Sequence, residues 1–278
     1  MRLGLLAHAA GQQRGPVPDL AGTVSFDLPF GSVALDARDD VIRPTLESTG
    51  SWDPGGTAYI GRRAKPGMTV LDVGAHVGYH TCHAAQLVGP TGLVLAFEPE
   101  PRNYELLLAN VWRNGLTNVV CFPWAVTDAT GFAQLYLHGT NTGDHRLVDD
   151  GDRQSVTVRT VRLDDVLAVR PPLDLVKIDV QGGERRAVAG MTGLLAASPS
   201  VRLILEFWPY GIRRLGDDPQ ETLDYYRSLG FALQARTLDE AEARELSDEE
   251  ILAFCAGEQG FLHADLELVR SKDPTRLH

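Results

Sequence analysis

Cysteine is scarce in this 278-residue chain, and what there is does not pair. Cys82, Cys121 and Cys255 stand far apart, none of them in a C-x-x-C arrangement. That spacing offers neither a disulfide framework nor a zinc knuckle, and three scattered thiols suit a reducing compartment, so the expected location is the cytoplasm. No apolar run approaches the roughly 18 residues of a membrane-spanning helix, so no membrane association is expected. Basic charge is short as well: 26 Lys and Arg face 37 Asp and Glu, for a formal net charge of −11. Such a surface repels phosphate backbones and argues against a nucleic-acid partner. Internal repeats and low-complexity tracts are also missing, which leaves out solenoids and disordered arrays.

What remains is ordinary globular material, 44 % hydrophobic and 23 % charged, long enough to bury about three-quarters of its surface on folding. Residues 1–22 are rich in Gly, Gln and Pro and read as a loose start. The first ten residues imitate a signal peptide, but their apolar part is broken early and short beside the usual 7–15 or so residues. Residues 24–28 and 32–36 alternate around a Pro-Phe-Gly turn and predict a hairpin. From residue 69 onward, apolar strands (69–73, 93–97, 118–122, 173–179, 201–207) alternate with helical stretches (79–88, 101–114 and near 184–197). That order predicts an α/β fold with a mostly parallel sheet and helices on both faces. Two alternating segments, 131–137 and 155–161, flank a polar loop. They read as a β insertion before the fourth strand, lying over the carboxyl ends of the parallel strands. Strand character returns at 230–234 and 261–269, and the acidic run 239–250 reads as a solvated face. The expected organisation is an extension over 1–65, a cofactor-binding domain over 66–270 and a tail over 271–278.

The chemistry concentrates in residues 70–78, Val-Leu-Asp-Val-Gly-Ala-His-Val-Gly. A strand ends, a glycine turn follows and a helix begins, which predicts backbone N–H groups facing a ligand at the carboxyl edge of the sheet. The next strand ends at Glu98-Pro99, where a carboxylate can accept both hydroxyls of a ribose. The dinucleotide fingerprint needs a glycine at its middle position so that a pyrophosphate can approach. Here Ala75 and His76 follow Gly74, which favours a nucleoside without phosphates, such as S-adenosylmethionine, over a nicotinamide cofactor.

Five blocks then resemble, in order, those of the FkbM-type S-adenosylmethionine-dependent methyltransferases. They are residues 71–80 (Leu-Asp-Val-Gly-Ala-His-Val-Gly-Tyr-His), 97–104 (Phe-Glu-Pro-Glu-Pro-Arg-Asn-Tyr), 125–128 (Ala-Val-Thr-Asp), 161–165 (Val-Arg-Leu-Asp-Asp) and 175–184 (Leu-Val-Lys-Ile-Asp-Val-Gln-Gly-Gly-Glu). The resemblance spans about residues 26–208 and implies a Rossmann-like class I methyltransferase sheet. It also implies S-adenosylmethionine as cofactor, S-adenosylhomocysteine as product and, for most members, O-methylation of sugars, polyketides and other secondary metabolites. Position by position, Asp72, Gly74 and Gly78, with Ala75 between them, match the cofactor loop. Glu98, followed by Pro99, matches the ribose ligand, and Ala125, Val126 and Asp128 match the adenine pocket. Asp179 matches the acidic residue nearest the transferred methyl. The chain departs from the family at His76, where Asn is usual, at His80, usually aromatic, and at Gln181, usually Glu. The lost carboxylate weakens the case for a metal centre in that block.

A hydroxyl acceptor needs its proton removed as it attacks, and the candidate bases are Asp179, His145 and Glu206. Asp179 also suits a helix cap, and Glu206, ending an apolar strand, must be paired or lie in a cleft. His76 and His80 flank the cofactor loop, within expected reach of the methionine end, and Thr81 can bond the cofactor carboxylate or its own helical turn. Glu184 falls where a helix N-terminus favours negative charge. A divalent metal on Asp179, Glu206 and His145 is admitted by chemistry, without dedicated ligand spacing. Residues 47–59, with Ser48, Thr49, Trp52 and Asp53, are expected to cover the cofactor and shape the acceptor cleft. The expected partner is a small-molecule acceptor, and a homo-oligomer is compatible with a helix-covered sheet. N- or C-methylation, nicotinamide redox chemistry and a non-catalytic cofactor-binding module stay open as alternatives.

Overall fold

The computed structural model describes residues 19–149, 151, 153–167, 172–236, 243–256 and 262–270. Most of the expected loose start, the tail and residues 239–242 of the acidic run lie outside these residues. The hairpin forms as expected, β1 (Thr23–Leu28) with β2 (Gly31–Asp36). Two helices, α1 (Ile42–Thr49) and α2 (Pro54–Arg63), follow where only broken apolar pieces were expected. Aspartates start both. The Asp39 carboxylate accepts the N–H groups of Val41 and Ile42, and Asp53 caps Pro54-led α2 by accepting from Gly56. Proline costs nothing at the first helical position, because its missing N–H has no helical partner there.

The central sheet then assembles from β3 (Thr69–Val73), β4 (Leu93–Phe97), β5 (Val119–Phe122), β9 (Leu175–Ile178), β10 (Arg202–Phe207), β11 (Phe231–Arg236) and β12 (Ala264–Arg270). Its order is β11-β12-β10-β9-β3-β4-β5. The five strands from β10 to β5 are parallel, and β12 runs antiparallel to both β10 and β11. Every residue of β3 and β4 is buried, because helices cover both faces. Leu71, Leu95, Val176 and Leu205 point into one core and Val70, Val94, Leu175 and Ile204 into the other. The second core packs on α3 (Tyr79–Val88) and α4 (Pro101–Arg113). Within α4, Asn110 is fully buried yet satisfied. It accepts from the Ala34 N–H and donates to the carbonyls of Ala34 and Val77, and so fastens the hairpin to the domain.

The insertion forms a separate three-stranded sheet, β6-β8-β7, from β6 (Trp124–Val126), β7 (Gly131–Leu137) and β8 (Gln154–Val161). The single helix expected near 184–197 is two: Glu184–Ala189 (α6) and Thr192–Ala196 (α7), after the short α5 (Leu163–Val166). The break has a tertiary cause. Asp164 of α5 accepts the N–H groups of Gly193 and Leu194 and so caps α7 from another part of the chain. Helices α8 (Pro209–Arg214), α9 (Pro219–Ser228) and α10 (Asp248–Phe254) complete the layers. The chain leaves β3 toward β4 on one side and returns at β9 on the other, so a crevice opens at the carboxyl ends of β3 and β9, where such sheets bind ligands.

Candidate active site

A cavity of about 940 Å³ occupies that crevice, toward the upper end of the roughly 300–1,000 Å³ of small-molecule sites. Its floor is the carboxyl ends of β3, β4, β9 and β10. Trp52, Asp53 and the start of α2 close one side, and His138 to Leu147 of the insertion close another. Of the cofactor residues read from the sequence, Gly74, Ala75, His76, Glu98, Pro99, Ala125, Val126, Asp128 and Asp179 line it. Asp72, Gly78 and Thr81 are not among its lining residues. Thr81 donates to Asp72 (2.6 Å), and Lys177 lies 3.8 Å from the other Asp72 oxygen. Both side chains are buried beneath the loop, so they brace it rather than touch a ligand. Gly78 starts α3 against Leu107. Ser48 and Thr49 are exposed on α1 and away from the cavity, whereas Trp52 and Asp53 line it.

The glycine loop departs from expectation in a way that bears on the ligand. The amides of Gly74, Ala75 and His76 do not face the cavity. The N–H groups of Gly74 and Ala75 both donate to the Phe97 carbonyl (3.0 Å each), and that of His76 donates to Glu98 Oε2 (2.8 Å). The loop is clamped to the end of β4 and offers no phosphate cradle from these three residues. Gly74 is required there: φ is +78°, and a Cβ would meet the Asp179 carbonyl at 1.8 Å. His76 also has positive φ (+51°), a region in which Asn, Asp and His are the commoner residues after glycine. Its side chain explains its presence. Thr142 gives its hydroxyl proton to Asp39 (2.5 Å), so it accepts from His76 Nε2 (2.8 Å). Cofactor loop, insertion and extension are thereby tied together, and burial presses the His76 pKa down to about 4.

Glu98 is buried and takes one N–H on each oxygen, His76 on one and Glu100 on the other (2.9 Å). Each oxygen keeps a lone pair. Burial, reinforced by Glu100 and Asp72, pushes its pKa up to about 8 against those two donors.

The three candidate bases meet at this cavity, but not as equals. His145 Nδ1 accepts the His138 N–H (3.1 Å), so its own proton sits on Nε2. Its basic lone pair is spent, burial lowers its pKa to about 4, and it offers the cavity a donor instead of a base. Asp179 and Glu206 are linked by Gln181, whose Nε2 donates to Asp179 Oδ1 (2.9 Å) and Glu206 Oε2 (3.1 Å). Lys177, overlooked in the sequence, lies 3.4 Å from Asp179 Oδ2. Burial opposes charge on Asp179, yet Lys177 and Gln181 hold its carboxyl below the usual range, and the surrounding carboxylates keep Lys177 charged. Glu206 is driven well above the usual range by burial and then by Asp179 and Glu184. Glu184, expected to serve its helix, spans the turn before it by accepting from Val180 and Gly182. His80, read as a neighbour of the methionine end, donates through Nε2 to Asp53 (3.0 Å). Among the described residues no group of three His, Cys, Asp or Glu is arranged to hold a metal ion, and no helix is long and apolar enough to cross a membrane.

Comparison with known proteins gives a profile match over residues 72–233 to the Methyltransferase FkbM domain. No curated protein matches the chain. Solved structures with a similar fold include a SAM-dependent O-methyltransferase from Thermotoga maritima, 12 % identical, with a TM-score of 0.47 over 92 % of this chain and 88 % of that one. An O-methyltransferase from Bacillus cereus, in complex with SAH, is 14 % identical with a TM-score of 0.47, over 85 % of this chain and 92 % of that one. A precorrin-6y C5,15-methyltransferase from Geobacter metallireducens is 14 % identical, with a TM-score of 0.46 over 78 % and 86 %.

Proposed function

Because this chain belongs to the FkbM methyltransferase family, we propose that it moves the methyl group of S-adenosylmethionine to a hydroxyl of a small polar metabolite, such as a sugar-bearing or other secondary metabolite. The observation that carries this reading is the clamp between the glycine loop and Glu98. The amides that would cradle a pyrophosphate are consumed by Phe97 and Glu98. The carboxylate they hold faces the cavity with spare lone pairs suited to a ribose diol. Phosphate-free adenosine fits that arrangement and a nicotinamide dinucleotide does not.

In this assignment Glu98 holds the ribose, Ala125, Val126 and Asp128 line the adenine end, and the loop from Gly74 to His76 backs the amino-acid end. The cofactor supplies a methyl group already activated by its sulfonium. The protein's work is then alignment and proton removal. Alignment is worth up to about 7–11 kcal/mol in the best intramolecular cases, and a positioned base contributes about 10²–10⁴ in rate. Asp179 is the group suited to take the proton. It is held as an anion by Lys177 and Gln181, and its side chain is 42 % exposed. The three cysteines are buried and form no disulfide with one another, which accords with a reducing compartment such as the cytoplasm. The test is calorimetry with S-adenosylhomocysteine on the wild type and Glu98→Ala. Tight binding that collapses in the variant is expected, and equal affinity for the two folded proteins rejects the assigned pocket.

A further inference from the structure

Gln181 lies at the heart of the cavity, and its geometry gives it a purpose. It adopts a left-handed backbone (φ +56°) between Val180 and Gly182, a conformation that a non-glycine residue holds only where its surroundings demand it. From there its amide nitrogen donates to one oxygen of Asp179 and one of Glu206. The amide cannot be reversed, because its oxygen would then face the anionic oxygen of Asp179. A glutamate at this position would put a third acceptor between two others. The two bridged oxygens lie no farther apart than the two hydrogen bonds reach, so both acids address the same small region of the cavity.

Their surroundings are unlike. Asp179 has the buried ammonium of Lys177 on its second oxygen. Glu206 ends the apolar strand β10 and has the His263 Nδ1 at 3.5 Å from its second oxygen. The other charged and titratable groups around Glu206 are Asp179 and Lys177 on the β9 side, Glu184 of α6, Cys255 after α10, Asp265 opposite Glu206 on β12, which is paired with Arg236, and Asp144 of the insertion, which is paired with Arg146 and Arg153. With Asp144 and Asp265 each matched by arginine, Asp179, Glu206 and Glu184 still outnumber Lys177. The proton that relieves the excess therefore belongs on Glu206, the carboxyl farther from Lys177. Neighbouring acids whose environments differ in this way divide into an anion and a neutral acid.

We propose that Gln181 is a positioning residue that holds the Asp179 and Glu206 carboxyls side by side, close enough that only one keeps its charge, and that this unlike pair, with Asp179 beside Lys177 the anion and Glu206 the carboxylic acid, selects an acceptor with two neighbouring oxygens. The hydroxyl to be methylated sits at Asp179, and the oxygen beside it accepts a hydrogen bond from Glu206. As the acceptor oxygen bonds to the methyl carbon, the bond from that carbon to sulfur breaks with its electron pair going to sulfur. The hydroxyl proton passes to the Asp179 carboxylate. Glu206 keeps its proton throughout and acts as a specificity residue. This rests on the methyl-transfer reading for the reaction, but the state of the acid pair is a property of the protein alone.

The test uses full-length protein labelled with carbon-13 at the glutamate carboxyls, followed by NMR from acid to alkaline pH. At pH 7 a protonated-acid signal that vanishes in Glu206→Gln is expected. An ionised Glu206 at pH 7 overturns the proposal. In Gln181→Leu, checked for an unchanged melting transition, the two acids are free to part and Glu206 is expected to titrate about one pH unit lower, a tenfold change in proton affinity. An unchanged titration, or the rise that loss of the N–H donor alone would cause, overturns the positioning role. With S-adenosylhomocysteine bound, cis-1,2-cyclohexanediol is expected to shift the Glu206 signal and cyclohexanol at equal concentration to leave it. Equal shifts, or none with the diol, overturn the acceptor assignment. Failure of S-adenosylhomocysteine to bind tells against the methyl-transfer reading instead, and the ligand-free titration still decides the state of the pair.

Discussion

Replacing Glu98 by Gln probes the cofactor clamp with the least change in shape. The carboxylate accepts two backbone N–H groups, one on each oxygen, and an amide has one accepting oxygen. One of the two N–H groups therefore loses its partner in a buried place, at about 1–3 kcal/mol. With about 2–4 °C of melting temperature per kcal/mol for a chain of this size, the variant should melt several degrees lower but fold. The effect on ligand is larger in kind. Hydrogen bonds to a charged group contribute about 1.5–3 kcal/mol each, so losing even one from a ribose hydroxyl should weaken adenosine at least tenfold, given about 1.4 kcal/mol per factor of ten. A second readout follows from the raised pKa of about 8. Ribose hydroxyls donate, so they select the ionised carboxylate, and binding at lower pH must release its proton. Wild-type affinity for adenosine should therefore climb as pH rises toward 8 and level off above it, while Glu98→Gln shows no such slope. Calorimetry with adenosine and 2′-deoxyadenosine across pH 6 to 9 measures both effects. A wild-type affinity that ignores pH, or a variant that binds as tightly as wild type, would refute the reasoning.

Other outcomes follow from the same contacts. Gly74→Ala combines a positive φ with a Cβ pressed onto the Asp179 carbonyl, so it should either fail to fold or melt many degrees lower, as thermal denaturation would reveal. Asn110→Leu abandons an N–H and two carbonyls. At about 1–3 kcal/mol for each unsatisfied group, limited proteolysis should cut the β1–β2 extension first. Glu184 is raised by burial to about 7. A carboxyl raised on folding contributes stability that is complete below its unfolded pKa and is lost as pH rises through the folded one. Its contribution should therefore decline between about pH 4.5 and above 7, and melting curves of Glu184→Gln should lack that part of the decline.

Much of this architecture was legible from residue patterns, and the misses have common physical causes. The strands β3, β4, β9 and β10 announce themselves because a parallel sheet covered on both faces needs continuous apolar runs. The helices α1 and α2 were hidden because Gly55, Gly56 and two prolines mimic a loop, and aspartate caps rather than apolar periodicity begin them. Asp218-Pro219 carries the same signature for α9, where Asp218 accepts the Glu221 N–H. Capping logic applied there would have found the helix. The break between α6 and α7 was not legible, since it depends on Asp164 reaching across from α5. The site residues divide in a similar way. Glu98 and Asp179 follow from their places at strand ends. The inward turn of the loop amides, the spent lone pair of His145 and the double donation by Gln181 depend on partners distant in sequence.

The most direct test of the whole account is a crystal structure of the protein with S-adenosylhomocysteine. The account predicts both ribose hydroxyls on the Glu98 carboxylate, the adenine beside Asp128 and the sulfur turned toward Asp179 and Glu206. Adenosine density elsewhere, or a sulfur facing away from those two acids, would contradict it.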